Sequence, residues 1–289
     1  MSERNHSEKC ILSVDVEDWF HILDVPSSPP MAEWSSLPSR VEENFRGLLA
    51  LFRENRLKAT CFFLGWIAER YPHLVREAQA EGHEIASHGY GHELAFGLSA
   101  DEFFHDAIRA RSLLEDVSGS EVVGYRSAGF STTRETPWFF DKLAEAGYRY
   151  DSSVFPAARG HGGMKGAPLA PYAVTRGPGD LVEFPITVAE VLGRRLCFFG
   201  GGYLRLFPYT MIRTMAGKVL KEGRPVIFYV HPREIDPRHP RLPMNLKRRF
   251  KSYVNLGATY GKLGRLIEDF AFTTFADYLT DHPELREAT

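Results

Sequence analysis

The chain has 289 residues, 44% hydrophobic and 25% charged, with 35 Lys and Arg against 37 Asp and Glu. This is globular composition, with length for one large α/β core or two smaller ones. A net charge of −2 without a basic stripe predicts no nucleic-acid partner, and no polybasic block announces a membrane surface. The three cysteines, Cys10, Cys61 and Cys197, form no Cys-x-x-Cys pair. Cys10 and Cys61 sit in apolar runs and read as buried thiols in a reducing compartment. Met1–His6 is polar, without an apolar signal core, and no run reaches the length of a membrane span. The expectation is a cytoplasmic protein with no transmembrane segment.

Cys10-Ile11-Leu12-Ser13-Val14 reads as a buried strand running into three carboxylates, Asp15, Glu17 and Asp18. Like charges at that spacing resist burial unless a cation sits between them or the strand end opens to solvent. Pro- and Ser-rich residues 25–39 read as loop. Val41–Asn55 has helical spacing, Ala59–Leu64 reads as a second strand, and Pro72–Glu81 as a helix stopped by Gly82. His83–Ser87 is the third strand, and Ser99 with Glu102 is a capping box opening a helix to about Val117. Val122–Tyr125 is the fourth strand, Thr136–Ala146 a helix, and Tyr148–Tyr150 the fifth strand. Residues 156–180 read as surface loop, Leu181–Phe184 as strand, and Gly200–Gly202 as a flexible turn. Pro208–Glu222 is a helix, Pro225–Val230 an apolar strand, and Arg238–Lys251 a basic loop and helix start. Tyr260–Asp269 is a long helix, Phe272–Phe275 a closing strand, and a short helix follows.

Alternating strands and helices argue a parallel sheet. Seven or eight strands over this length predict an α/β fold, a distorted TIM-like (β/α)7–8 barrel. No linker divides the chain, so residues 1–289 are expected to form one domain. Its core spans about 10–235, with an extension of about 236–289 packed on it.

In such a barrel, functional residues follow strands. His88 and His92 flank a glycine-rich turn after the third strand, a spacing that brings two imidazoles to one cation. A carboxylate of the first strand would complete a hydrolytic metal set with open positions. Arg126 follows the fourth strand and could keep a catalytic carboxylate ionised and oriented. Asp151 follows the fifth strand, as a turn former or a brace for a catalytic side chain. His231 ends the late apolar strand and is a candidate general acid.

These stretches, in this order, resemble the polysaccharide deacetylase superfamily, the NodB-homology domain of carbohydrate esterase family 4. Ser13–Trp19 stands where that family has Thr-Phe-Asp-Asp-Gly. His88-Gly89-Tyr90-Gly91-His92 matches His-Ser/Thr-x-x-His, with Gly89 replacing Ser/Thr. Arg126-Ser127-Ala128 matches Arg-x-Pro without the proline, and Tyr229-Val230-His231 matches Leu-x-His. The Asp15–Trp19 form, Phe199–Tyr209 and Tyr253–Leu256 resemble a branch found with exopolysaccharide biosynthesis systems.

The resemblance implies the NodB-type barrel and metal-dependent removal of N-acetyl groups from amino sugars. It implies Asp15 as catalytic base, Arg126 as the residue positioning it, His231 as general acid, and His88 and His92 as metal ligands. The family's third ligand follows the base directly, where Val16 stands here. Relatives with Asp-x-Asp point to Glu17, and Asp18 is the other candidate. The divalent metal is expected to be zinc, with cobalt or nickel as alternatives. A backbone N–H near Arg126 is expected to meet the oxyanion. Trp19, Phe20, Tyr90 and Phe130 are candidates for stacking on a sugar ring or for core packing. The partners implied are an N-acetylated sugar or polysaccharide and exopolysaccharide assembly machinery. Two other readings stay open: hydrolysis of a cyclic amide in the manner of allantoinases and imidases, and an inactive carbohydrate-binding member of such an assembly.

Overall fold

Alternation along the first strand sets the architecture. In β1 (Cys10–Val16), Leu12, Val14 and Val16 face the core shared with the helices, while Ile11 joins Phe62, Tyr150 and Ile227 in an inner core. A period of two places Ser13 and Asp15 on the same inner side as Ile11. The computed structural model describes residues 9–158, 162–174 and 181–286. The polar start Met1–His6 and part of the 156–180 stretch lie outside the described residues.

The strands that follow are β2 (Thr60–Phe63), β3 (Glu84–Ser87), β4 (Gly124–Tyr125), β5 (Tyr150–Asp151), β6 (Tyr172–Val174), β7 (Leu181–Glu183), β8 (Ala189–Val191), β9 (Arg194–Leu196), β10 (Val226–Val230) and β11 (Phe272–Thr273). The main sheet runs β10-β1-β2-β3-β4-β5-β7-β6, with β11 also beside β1. Its pairings are parallel except β6 with β7. This is the expected distorted barrel, curled but not closed by strand pairing among the described residues. Side-chain bonds cross the gap: Thr187 Oγ1 donates to the Pro225 carbonyl and accepts from the Ile227 N–H at 2.9 Å.

The helices are α1 (Met31–Trp34), α2 (Val41–Glu54), α3 (Gly65–Arg70), α4 (Pro72–Ala80), α5 (Ala100–Ser118), α6 (Phe139–Glu145), α7 (Gly201–Leu206), α8 (Tyr209–Lys221), α9 (Leu246–Tyr253), α10 (Thr259–Asp269) and α11 (Phe275–Asp281). The Ser99–Glu102 capping box opens α5 as expected. The last helix packs into the inner core through Phe275, whose ring stacks on Tyr150 and whose N–H donates to Thr60 Oγ1.

Four stretches depart from the sequence reading. The 25–39 loop contains α1, and the 156–180 loop contains β6. Residues 189–196 form the β8–β9 hairpin, whose three-residue strands are too short for an alternation signal. Gly200–Gly202 leads into α7 instead of a free turn. A Cβ on Gly200 would stand 2.1 Å from the Tyr229 ring, so glycine there serves close packing.

Candidate active site

Parallel register brings the polar residues to one level. Val14 pairs with Val230, so Asp15 and His231 emerge side by side. Tyr125 pairs with Ser87 on one side and Asp151 on the other, so His88, Arg126 and Ser152 emerge together from adjacent strands. All stand at C-terminal strand ends, around a cavity of about 730 Å³.

Arg126 is fully buried. Its Nη1 donates to Asp15 Oδ1 at 2.6 Å and to Ser13 Oγ at 2.8 Å, and its other nitrogens donate to the carbonyl and hydroxyl of Ser152. The guanidinium lies 4.1 Å over the Phe62 ring. A charge this deep is tolerable because every side of it is matched.

Glu17, His88 and His92 offer ligand atoms all within 4.8 Å of one another, and all three residues are buried. Glu17 Oε1 lies 3.1 Å from His88 Nε2 and 2.9 Å from His92 Nε2. Nδ1 of His88 donates to the Arg126 carbonyl at 2.7 Å, which orients the ring so that Nε2 faces Glu17 and would present its lone pair to a bound cation. Burial opposes ionisation of Glu17. The charges of His92 and His231 and the bonds from His88 and His92 outweigh it and hold the carboxyl well below its usual range. One anionic oxygen and two imidazoles fit a divalent ion of the zinc class.

The turn carrying the two histidines is shaped by a side chain on α5. Asp106 accepts from the N–H groups of Tyr90 and Gly91. Gly89 has φ +73°, and a Cβ there would meet the Asp106 carboxylate at 2.8 Å, which explains glycine where the resembled family has Ser or Thr.

Nε2 of His231 stands 3.8 Å from Asp15 Oδ2 and 3.7 Å from Glu17 Oε1. Its Nδ1 donates to Glu234 Oε2 at 3.0 Å. Glu234 in turn receives Arg205 Nε at 2.8 Å, and Arg205 also donates to the carbonyls of Lys251, Ser252 and Val254. Burial alone would lower the His231 pKa, but Glu17, Glu234 and Asp15 raise it above the ordinary histidine value. For Glu234 burial is likewise outweighed, by Arg205 and His231, and the carboxyl titrates at about 2.

Two expected site residues lie elsewhere. Asp18 stands outside the cluster of Glu17, His88 and His92: its carboxylate accepts from the N–H groups of Trp19, Arg40 and Val41 and from the Ser39 hydroxyl, capping the turn Trp19–His21. Asp151 does not line the cavity. It accepts from the Ser153 hydroxyl, and Ser153 Oγ accepts the Ser127 N–H at 2.7 Å, so Asp151 braces the loop that carries Arg126. In the loop after Arg126, where the oxyanion donor is expected, Gly129 lines the cavity. The amides of Arg126, Ser127, Phe130 and Ser131 are already bonded to Ser87, Ser153 and Ser127. Trp19, Phe20 and Tyr90 are buried in packing, and of the four stacking candidates Phe130 lines the cavity.

Sequence reasoning missed Glu234, Arg205 and His21. The three-residue offset from His231 was the available signal for Glu234. His21 is buried at the cavity, its Nδ1 accepts the Asp18 N–H, and its Nε2 has no partner among the described residues. Burial and then His92 depress its pKa well below the usual value, so it is a neutral donor aimed at the site.

Residues 34–150 match the family model described as polysaccharide deacetylase, and residues 152–280 match one described as a domain of unknown function, DUF3473. A peptidoglycan deacetylase of Helicobacter pylori is 28% identical over 107 residues, 37% of this chain and 36% of that protein. The chain thus spans about a third of the length of the curated relatives it matches. Among solved structures, a Mycobacterium smegmatis protein assigned to the polysaccharide deacetylases superposes with TM-score 0.66 and 20% identity over 100% of this chain and 94% of that one. Puue allantoinase superposes with TM-score 0.61 and 18% identity over 96% and 92%. These two are likenesses of fold.

Proposed function

We propose that the chain, whose residues 34–150 match the polysaccharide deacetylase family model, is a metal-dependent hydrolase removing N-acetyl groups from amino sugars of a polysaccharide or its biosynthetic intermediate. The observation carrying this reading is the meeting of Asp15 and His231, 3.8 Å apart, beside the cluster Glu17, His88 and His92. A base and an acid flanking one ligand set is what amide hydrolysis needs.

Glu17, His88 and His92 would hold the cation. When bound, a zinc-class ion supplies a lowered water pKa and polarisation of the acetamide carbonyl. Asp15, oriented by Arg126, takes the proton of the attacking water. His231 gives its Nε2 proton to the departing amine. Glu234 accepts from Nδ1 and, with Glu17 and Asp15, favours the doubly protonated ring, so the proton to be transferred sits on Nε2, the nitrogen facing the cavity. His21 Nε2–H is a neutral donor for a substrate oxygen.

Free and buried Cys10 and Cys61 favour a reducing compartment, and the same proposal places the protein in the cytoplasm beside exopolysaccharide assembly. No helix among the described residues is long and apolar enough to cross a membrane. Acetate release from N-acetylhexosamine oligomers, with zinc added and after chelation, tests the activity. Undiminished release by Asp15→Asn or His92→Ala would refute it.

A further inference from the structure

Of the arginines lining the cavity, Arg205 is matched by a carboxylate and by carbonyl oxygens, and Arg248 by the Leu23 carbonyl. Arg233 is not. It follows His231 by two residues and lines the same cavity. Its Nε and Nη1 are shielded from solvent and have no hydrogen-bond partner among the described residues. The nearby carboxylates are committed: Glu234 to Arg205 and His231, and Glu17 to His88 and His92. Burial opposes the charge, and the favourable field of Glu234 and Glu17 is offset in part by Arg205; neither carboxylate bonds the two shielded nitrogens, which are disfavoured while unbonded.

The adjoining wall has the same sign. Between residues 237 and 267 the chain has eight Lys and Arg and no Asp or Glu. From this segment, Lys251 and Arg248 on α9 reach the cavity. Asp24, on the same rim, is itself engaged. A neutral amino-sugar chain offers such a wall hydroxyl and carbonyl acceptors but no compensating charge.

We infer that the substrate carries an anionic group, a sugar carboxylate or a phosphate, close to the sugar that bears the acetamide, and that Arg233 is its counterion. Two parallel N–H donors suit either group. This rests on the deacetylase reading for the acetamide alone; the anion site stands on Arg233.

The test has two arms on the full chain. In the first, inorganic phosphate and galacturonate are titrated calorimetrically into metal-free protein at low salt. Binding of at least one is expected, weakened about tenfold or more in Arg233→Gln and partly kept in Arg233→Lys. In the second, zinc-loaded protein is given a neutral N-acetylglucosamine oligomer, N-acetylglucosamine 1-phosphate, and an N-acetylgalactosamine–glucuronate oligosaccharide. The ratio of kcat/KM for the better anionic substrate to that for the neutral one is expected to fall about tenfold in Arg233→Gln, through KM. Which anion is favoured identifies the source. Binding of neither probe, or binding unchanged in Arg233→Gln, overturns the inference. Arg233-dependent binding without acetate release from any substrate leaves the anion site standing and removes the deacetylase reading. Release with a ratio indifferent to Arg233 does the reverse.

Discussion

Glu234 grips His231 twice: one oxygen, Oε2, lies 3.0 Å from both the backbone nitrogen and Nδ1 of the histidine three residues before it. The backbone bond fixes where the ring is carried, and the ring bond keeps a proton on Nδ1, which leaves Nε2 as the nitrogen that gives up its proton. The Arg205 guanidinium keeps that carboxylate in place from the other side.

Glu234→Gln should therefore lower kcat by about ten- to a hundredfold with little change in KM, since it disturbs an orienting partner and not a substrate contact. Glu234→Asp should recover part of the loss. Steady-state kinetics on one oligomer checks both.

Glu17 and Asp18 are neighbours with different work. Glu17→Gln should abolish stoichiometric zinc, measured by elemental analysis after dialysis. Asp18→Asn should keep the zinc. It should also lose about 1 kcal/mol of unfolding free energy in urea, because a capping carboxylate is replaced. Loss of zinc in both would place the ligand set wrongly.

Breaking the buried Asp15–Arg126 pair from the acidic side strands a charge with 0% side-chain exposure. Asp15→Ala should cost about 3–5 kcal/mol. The double variant Asp15→Ala/Arg126→Met should recover part of that stability while remaining inactive. Denaturation midpoints of the single and double variants measure the coupling.

Acid should weaken the fold through histidines remote from the site. Burial pushes His83 and His239 down to about 4 from an ordinary 6.5. The unfolded chain takes up these protons before the folded one does. Their contribution is thus complete above pH 6.5 and is lost as pH falls towards 4, at most roughly 3 kcal/mol for each. Urea unfolding at pH 7.5 and pH 5 should show the drop, and His83→Gln should flatten part of it.

Much of the site was legible before any coordinates. A strand ending in carboxylates, two histidines around a glycine turn, and a histidine closing a late apolar strand are local patterns, and a parallel barrel gathers strand ends by its topology. The strand period also put Asp15 on the inner face with Ile11. What the tertiary structure decided is which neighbouring group does what. Glu17 and Asp18 are adjacent acids in the chain, yet one meets two imidazoles and the other caps a turn through Ser39, Arg40 and Val41, some twenty residues away. Arg205 and Arg233 are both arginines near one cleft, and only their surroundings make the first a saturated strut and leave the second with two nitrogens unbonded among the described residues. Residue type and spacing follow from covalent order, whereas charge compensation depends on distances between segments far apart in the chain, and those exist only once it has folded.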